Sequence, residues 1–177
     1  MFTKTNLVEE VTLSTLKDIL QEIASVKDIK LDGDALTFKY KDKDGDSVLA
    51  AITLDGDERI LCSLLLKMPE NYFVTSAICA NMYNTRKDAH GTFAYVTPSD
   101  DEFYITLETH ILTRGGISKA SIKHDLRNFI DHIDKFEEIM ISAINKLGPD
   151  SSFLKSSGWA AFWEGAGAFF SGYMQAY

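Results

Sequence analysis

Hydrophobic positions change period several times along the chain, and the changes mark its elements. Leu13, Leu16, Ile19, Leu20 and Ile23 recur at helical spacing behind Thr12, a natural N-cap, and predict a helix over roughly 12–25. Leu7, Val8 and Val11 fall on another face, which suggests a separate lead-in segment or a break near Thr12. Period-two alternation then takes over. Ala35–Lys41 alternates through Leu36, Phe38 and Tyr40; Ser47–Leu54 follows the turn Asp44-Gly45-Asp46; and Arg59–Met68 follows Asp55-Gly56-Asp57. Asp-Gly between alternating runs is a strong hairpin signal, so residues 33–68 read as a three-stranded antiparallel meander. The run Ile60–Leu66 is apolar on both faces, as expected of a central strand covered on both sides or of a subunit interface.

Pro69 ends the meander, and residues 70–88 read as a second helix with Phe73, Ala77, Ile78, Met82 and Tyr83 on its apolar side. Two further strands, Thr92–Thr97 and Glu102–Thr113, are joined by the turn Pro98-Ser99-Asp100-Asp101. In the second of them Phe103, Ile105 and Leu107 alternate with Tyr104, Thr106 and Glu108. Gly115-Gly116 frees the backbone for a tight turn, Ser118 is an N-cap with Ile117 as a hydrophobic staple, and a long amphipathic helix follows. Its apolar face carries Ile122, Leu126, Phe129, Ile130, Ile133, Phe136, Met140, Ile144 and Leu147, and Gly148-Pro149 stops it. The order α-β-β-β-α-β-β-α implies an α+β fold with a mainly antiparallel sheet.

Residues 149–177 form an appendage of different character. Residues 151–177 hold both tryptophans, eight of the twenty aromatic residues and four of the eleven glycines, with Lys155 and Glu164 the only charges. Trp159, Phe162, Trp163, Phe169, Phe170 and Tyr173 follow helical spacing over a back of Ala160, Ala161, Gly165, Ala168 and Gly172. This predicts an aromatic-rich C-terminal helix and makes those six aromatics candidate protein-binding residues. The glycines weaken such a helix by about 1 kcal/mol each, whereas burying Trp159, Trp163 and Phe170 returns roughly 2–3 kcal/mol apiece, so it must dock. Its surface is the protein's own body, a second subunit, a partner protein or a membrane. Spanning a bilayer is disfavoured by the glycines, Glu164 and Gln175, and the basic face of an interfacial helix is missing.

Composition bounds the rest. The chain has 177 residues, 45% hydrophobic and 25% charged, the balance of an ordinary globular domain long enough to fold without disulfides or metal. A net charge of −8 and the absence of a Lys/Arg run argue against nucleic acid as a partner. Cys62 and Cys79 sit in apolar settings with no CxxC and read as reduced, buried thiols, and Met1–Glu10 has no apolar core of a signal peptide; both suggest a cytoplasmic protein.

No chemistry-bearing motif survives inspection. Asp42, Asp44 and Asp46 imitate the start of an EF-hand loop, but Ser47 replaces the turn glycine and Thr53 the bidentate glutamate, so a hairpin turn with solvated carboxylates is expected. His90, His110, His124 and His132 lack metal-ligand spacing and are expected on the surface or in loops; Asp131, Asp134, Glu137 and Glu138 read as a solvated face. No nucleophile–base pair, phosphate-binding glycine loop or ligand cluster is present, so no catalytic residue, metal or cofactor is expected.

Two passages carry a family resemblance. Ile78-Cys79-Ala80-Asn81-Met82-Tyr83-Asn84 matches an apolar-Asn-x-x-Asn pattern near the end of a middle helix, and Gly115-Gly116-Ile117-Ser118 matches a strand, GG(I/V)S and helix passage. With the element order, these make residues 12–147 resemble the YbjN-like family of bacterial proteins, whose fold is that of type III secretion chaperones. The resemblance implies a domain over 1–148, commonly dimeric, with no established catalytic site, in a family described as sensory-transduction regulators. Asn81, Asn84, Gly115 and Gly116 are its motif residues, and the two asparagines are expected to hydrogen-bond backbone at the helix end or in the following loop. The expected function is a non-enzymatic protein-binding domain, chaperone-like or regulatory, working as a homodimer with a further protein partner. The alternative is a peripheral membrane protein targeted by the aromatic tail.

Overall fold

The computed structural model describes residues 7–8, 10–41, 47–56, 58–89, 91–99 and 102–149. The chain enters through β1 (Leu7–Val8), the lead-in anticipated before Thr12, which pairs with β8 (Ile117–Ser118). Thr12 caps α1 (Leu13–Gln21), its Oγ1 accepting from the Thr15 amide at 3.1 Å. The helix is shorter than its apolar spacing predicts, because Ile23 and Val26 turn back into the core on the way to a strand the periodicity does not reveal. That strand, β2 (Val26–Asp32), makes the predicted three-stranded meander four-stranded. Its register against β3 shifts between Lys27 and Lys30, and Asp28 sits at φ 51° in the resulting bulge. The extra residue breaks the alternation of Val26, Ile29 and Leu31, so no period-two signal remains to be read.

The strands β3 (Ala35–Lys41), β4 (Ser47–Asp55) and β5 (Arg59–Met68) fall as expected. Residues 42–46 lie outside the described residues, but Lys41 pairs with Ser47, so a hairpin joins β3 to β4. A 3-10 turn (Glu70–Tyr72) leads into α2 (Phe73–Asn84), which together take the place of the single helix expected over 70–88. β6 (Thr92–Ser99) and β7 (Glu102–Leu112) form a further antiparallel pair. Gly115 and Gly116, at φ 84° and 88°, make the turn into β8. Ser118 then caps α3 (Lys119–Leu147), accepting from the Ser121 amide at 3.1 Å, and Gly148 closes the helix at φ 66°.

The sheet is antiparallel throughout, in the order β2-β3-β4-β5-β7-β6. One face carries Leu36, Phe38, Tyr40, Ile52, Ile60, Cys62, Leu64, Ile105 and Leu107, all buried in one cluster with α1, the C-terminal half of α2 and α3. Tyr40 extends through this layer to donate a hydrogen bond to Asp134 of α3 at 2.9 Å. The buried side of α2 is Val74, Thr75, Ser76, Cys79, Ala80 and Tyr83, which corrects the predicted side: Met82 is 43% exposed. The helix is apolar on nearly every side, so periodicity alone does not select the face that packs.

Cys62 and Cys79 are buried free thiols, as expected. Burial pushes the Cys79 thiol up to about 12 and that of Cys62 higher still. Among the described residues, no helix is long and apolar enough to cross a membrane.

Candidate functional site

Among the described residues, helices cover one side of the sheet. On β5 the pattern is one-sided: Ile60, Cys62 and Leu64 are buried, Leu61 and Ser63 are half-buried, and Leu65 is exposed. The doubly apolar run is therefore half core and half outer surface, and among the described residues no helix lies over that outer side.

Strand register arranges this outer face in rows. In one, Leu65, Thr106 and Tyr95 pair in turn, and the Lys39–Leu49 pair lies in line with them one residue beyond Ala50–Leu64; the next runs Thr37, Ala51, Ser63, Glu108, Phe93. A third row holds Thr53, Leu61 and His110, and Lys67, Tyr104 and Thr97 lie on the opposite side of the first. Leu49 is 56% exposed, Leu65 53% and Leu112 68%, an unusual concentration of large apolar side chains on the outside of one sheet.

A polar cluster sits within this apolar setting. Tyr95 donates to Glu108 Oε2 at 2.8 Å, and Glu108 Oε1 lies 2.8 Å from His110 Nε2. Phe93 stacks on Tyr95 with ring centroids 5.9 Å apart and lies 5.6 Å from His110. Glu108 is thereby buried on the outer face of an interior strand with its carboxylate satisfied by two neighbours. The alternation of β7 already places Glu108 opposite Leu107, but its partner Tyr95 emerges only once β6 is paired with β7.

The histidines separate on inspection. His124 is exposed and His110 lies on the sheet, whereas His132, expected at the surface, is buried between α2 and α3. Its Nδ1 meets the Tyr83 hydroxyl at 2.8 Å, and burial pushes the Tyr83 phenol up to about 12. An amphipathic helix with His132 beside Ile133 offers no sign of this, because the hydroxyl that accommodates the imidazole comes from 49 residues upstream. His90 lies outside the described residues.

The two motif asparagines differ. Asn84 donates from Nδ2 to the Ala94 carbonyl at 2.7 Å and accepts the Ala94 amide at Oδ1 at 2.8 Å, so it binds backbone as expected. Asn81 is exposed, and its main-chain carbonyl accepts from the Thr85 amide near the helix end. The candidate binding residues Trp159, Phe162, Trp163, Phe169, Phe170 and Tyr173 lie outside the described residues, as does residue 150 before them. Among the described residues no His, Cys, Asp and Glu side chains gather in a group able to hold a metal ion.

These elements define a class: a six-stranded antiparallel sheet with three helices on one face, the YbjN-like fold that the sequence resemblance implied. The crystal structure of YbjN from E. coli, described as a candidate transcription regulator, matches with a TM-score of 0.61 at 17% identity, over 77% of this chain and 94% of its own. A second solved structure, an uncharacterized protein from Methanothermobacter thermautotrophicus, matches with a TM-score of 0.47 at 12% identity, over 75% of this chain and 98% of its own. No protein-family model and no curated protein matches the sequence.

Proposed function

We propose that this protein is a non-enzymatic binding domain, chaperone-like or regulatory, that takes a protein partner on the outer face of its sheet. The observation supporting this is the row through Leu49 and Leu65, apolar and half exposed beside Tyr95 and Tyr104. Aromatic rings beside exposed apolar surface are what a protein interface places at its centre, and the polar Glu108–His110 pair gives such a surface orientation as well as area. The description of the E. coli neighbour as a candidate transcription regulator agrees with a regulatory role. The net charge of −8 argues that such regulation runs through protein rather than through DNA.

Affinity capture from the native cell tests this, with wild type beside Leu65→Glu. A partner held by the wild type and lost from the folded variant supports the reading. Identical capture by both overturns it, and co-sedimentation with lipid vesicles unaffected by Leu65→Glu favours the peripheral-membrane alternative.

A further inference from the structure

The outer face and the aromatic segment of the same chain are two apolar surfaces, each needing cover. We infer that residues 159–177 pack intramolecularly on the outer face of the sheet, over Leu65, Tyr95 and Tyr104, and so compete with any partner for it. The inference rests on the binding role assigned to that face only in its last clause.

The place where the described chain ends carries the first part. Gly148 is held beside the start of α2, its carbonyl accepting from Thr75 Oγ1 at 2.7 Å. α2 begins just after β5 ends, and Phe73 packs edge-on against Phe103, with ring centroids 5.3 Å apart. Phe103 pairs with Met68, so the chain leaves the helical layer at the end of the sheet where β5 finishes and β7 starts. On the outer face, the first positions met from that end are Lys67 and Tyr104, followed by Leu65 and Thr106.

Chain length carries the second. Crossing from the helix layer to the outer face and reaching Leu65 requires about 20 Å, one layer spacing plus three strand residues. Residues 150–158, which hold four serines around Phe153-Leu154 and end at Gly158, extend to about 30 Å. The aromatic stripe starts directly afterwards, at Trp159, and nineteen residues of helix measure about 28 Å, close to the width of a six-stranded sheet. Chemistry completes the match. The stripe has one charge, Glu164, and the sheet rows offer leucines and rings standing beside small Ala51, Ser63 and Thr106. A tethered segment reaches this face at an effective concentration in the millimolar range, which a free partner must exceed in affinity.

Both tryptophans of the chain lie in the segment, so indole emission from the full-length protein reports its surroundings alone. Emission is expected blue-shifted from its position in denaturant at every protein concentration. Leu65→Glu, and separately Leu49→Glu, should move it to the denatured position while far-ultraviolet circular dichroism keeps the native fold. Ile141→Glu, on the exposed side of α3, should leave it unchanged. Native emission already at the denatured position, or insensitive to both leucine variants, or equally sensitive to Ile141→Glu, overturns the inference. A blue shift that appears only with rising concentration makes a second copy the occupant, and one that appears only with vesicles makes it a membrane; either also overturns it. The emission response without any captured partner removes the binding role alone, and a captured partner with an insensitive emission removes the tail alone.

Discussion

The side-chain amide of Asn84 pairs with Ala94 as another strand would, donating to its carbonyl and accepting from its amide at 2.7 and 2.8 Å. Ala94 lies in β6, an edge of the sheet, and an unpaired edge is a template for association with another chain. Thr92, two residues earlier, gives its amide to the Ala89 carbonyl at 2.8 Å, and Pro98, four residues later, has no amide hydrogen to offer. The end of α2 thus closes the middle of this edge. Asn84→Ala should cost roughly 1–2 kcal/mol by urea unfolding and make the protein more prone to associate. Asn84→Asp should be no better than alanine, since a carboxylate cannot donate to the carbonyl. An unchanged unfolding midpoint in both variants would refute the edge-closing role.

The Tyr83–His132 pair joins α2 to α3 inside the core. Tyr83→Phe removes the hydroxyl that meets His132 Nδ1 while keeping the ring, whose edge-on packing against Phe136 at 5.4 Å should persist. A loss of roughly 0.5–1.5 kcal/mol is expected, the range for removing one hydrogen bond. Thermal unfolding of Tyr83→Phe checks this; a midpoint equal to wild type would show that the hydroxyl contributes nothing.

Glu22 links the end of α1 to the start of α3. Its carboxylate lies 2.7 Å from both Lys119 Nζ and Lys123 Nζ, and hydrogen bonds from these two, Lys119 first, hold its pKa down to about 2. A carboxylate depressed in the folded state stabilises above its unfolded pKa, and that contribution is lost as pH falls through the folded value. The stability difference between wild type and Glu22→Gln should therefore be constant near neutrality and close as pH is lowered from about 4.5 towards 2. It should also shrink with added salt, since all three groups are exposed to screening. A difference that widens on acidification would contradict the pairing.

The thiols give a simple chemical readout. With burial raising both pKa values, Cys62 and Cys79 should resist a thiol reagent at neutral pH and react promptly in denaturant. Fast labelling of either in the native protein would mean that the inner face of the sheet opens readily.

Local chemistry made most of this architecture legible. Thr12 and Ser118 each cap through an amide three residues away, and the Gly148 amide closes α3 on the Ile144 carbonyl, so the sequence neighbourhood contains each of these end contacts. Legibility failed where a distant partner or an irregularity decides. The β2 bulge at Asp28 shifts the alternation by one, and the packed side of α2 is chosen by its neighbours rather than by its own pattern. The outer-face site was visible only as half of a pattern: Tyr104, Thr106 and Glu108 alternate with core residues, but the rows they share with Leu65, Tyr95 and Phe93 exist only through strand pairing. The doubly apolar run at 60–66 was the remaining clue, and its outer residues Leu61 and Leu65 lie in that site.

Site-specific photo-cross-linking tests the central claim most directly, because it asks what touches the outer face in the cell. A photoreactive phenylalanine analogue at position 65 should yield adducts shared between the chain's own segment 151–177 and a partner protein, and the same analogue at position 141 on α3 should yield neither. Adducts absent at position 65, or formed as readily from position 141, would contradict the assignment of the outer sheet face as the binding surface.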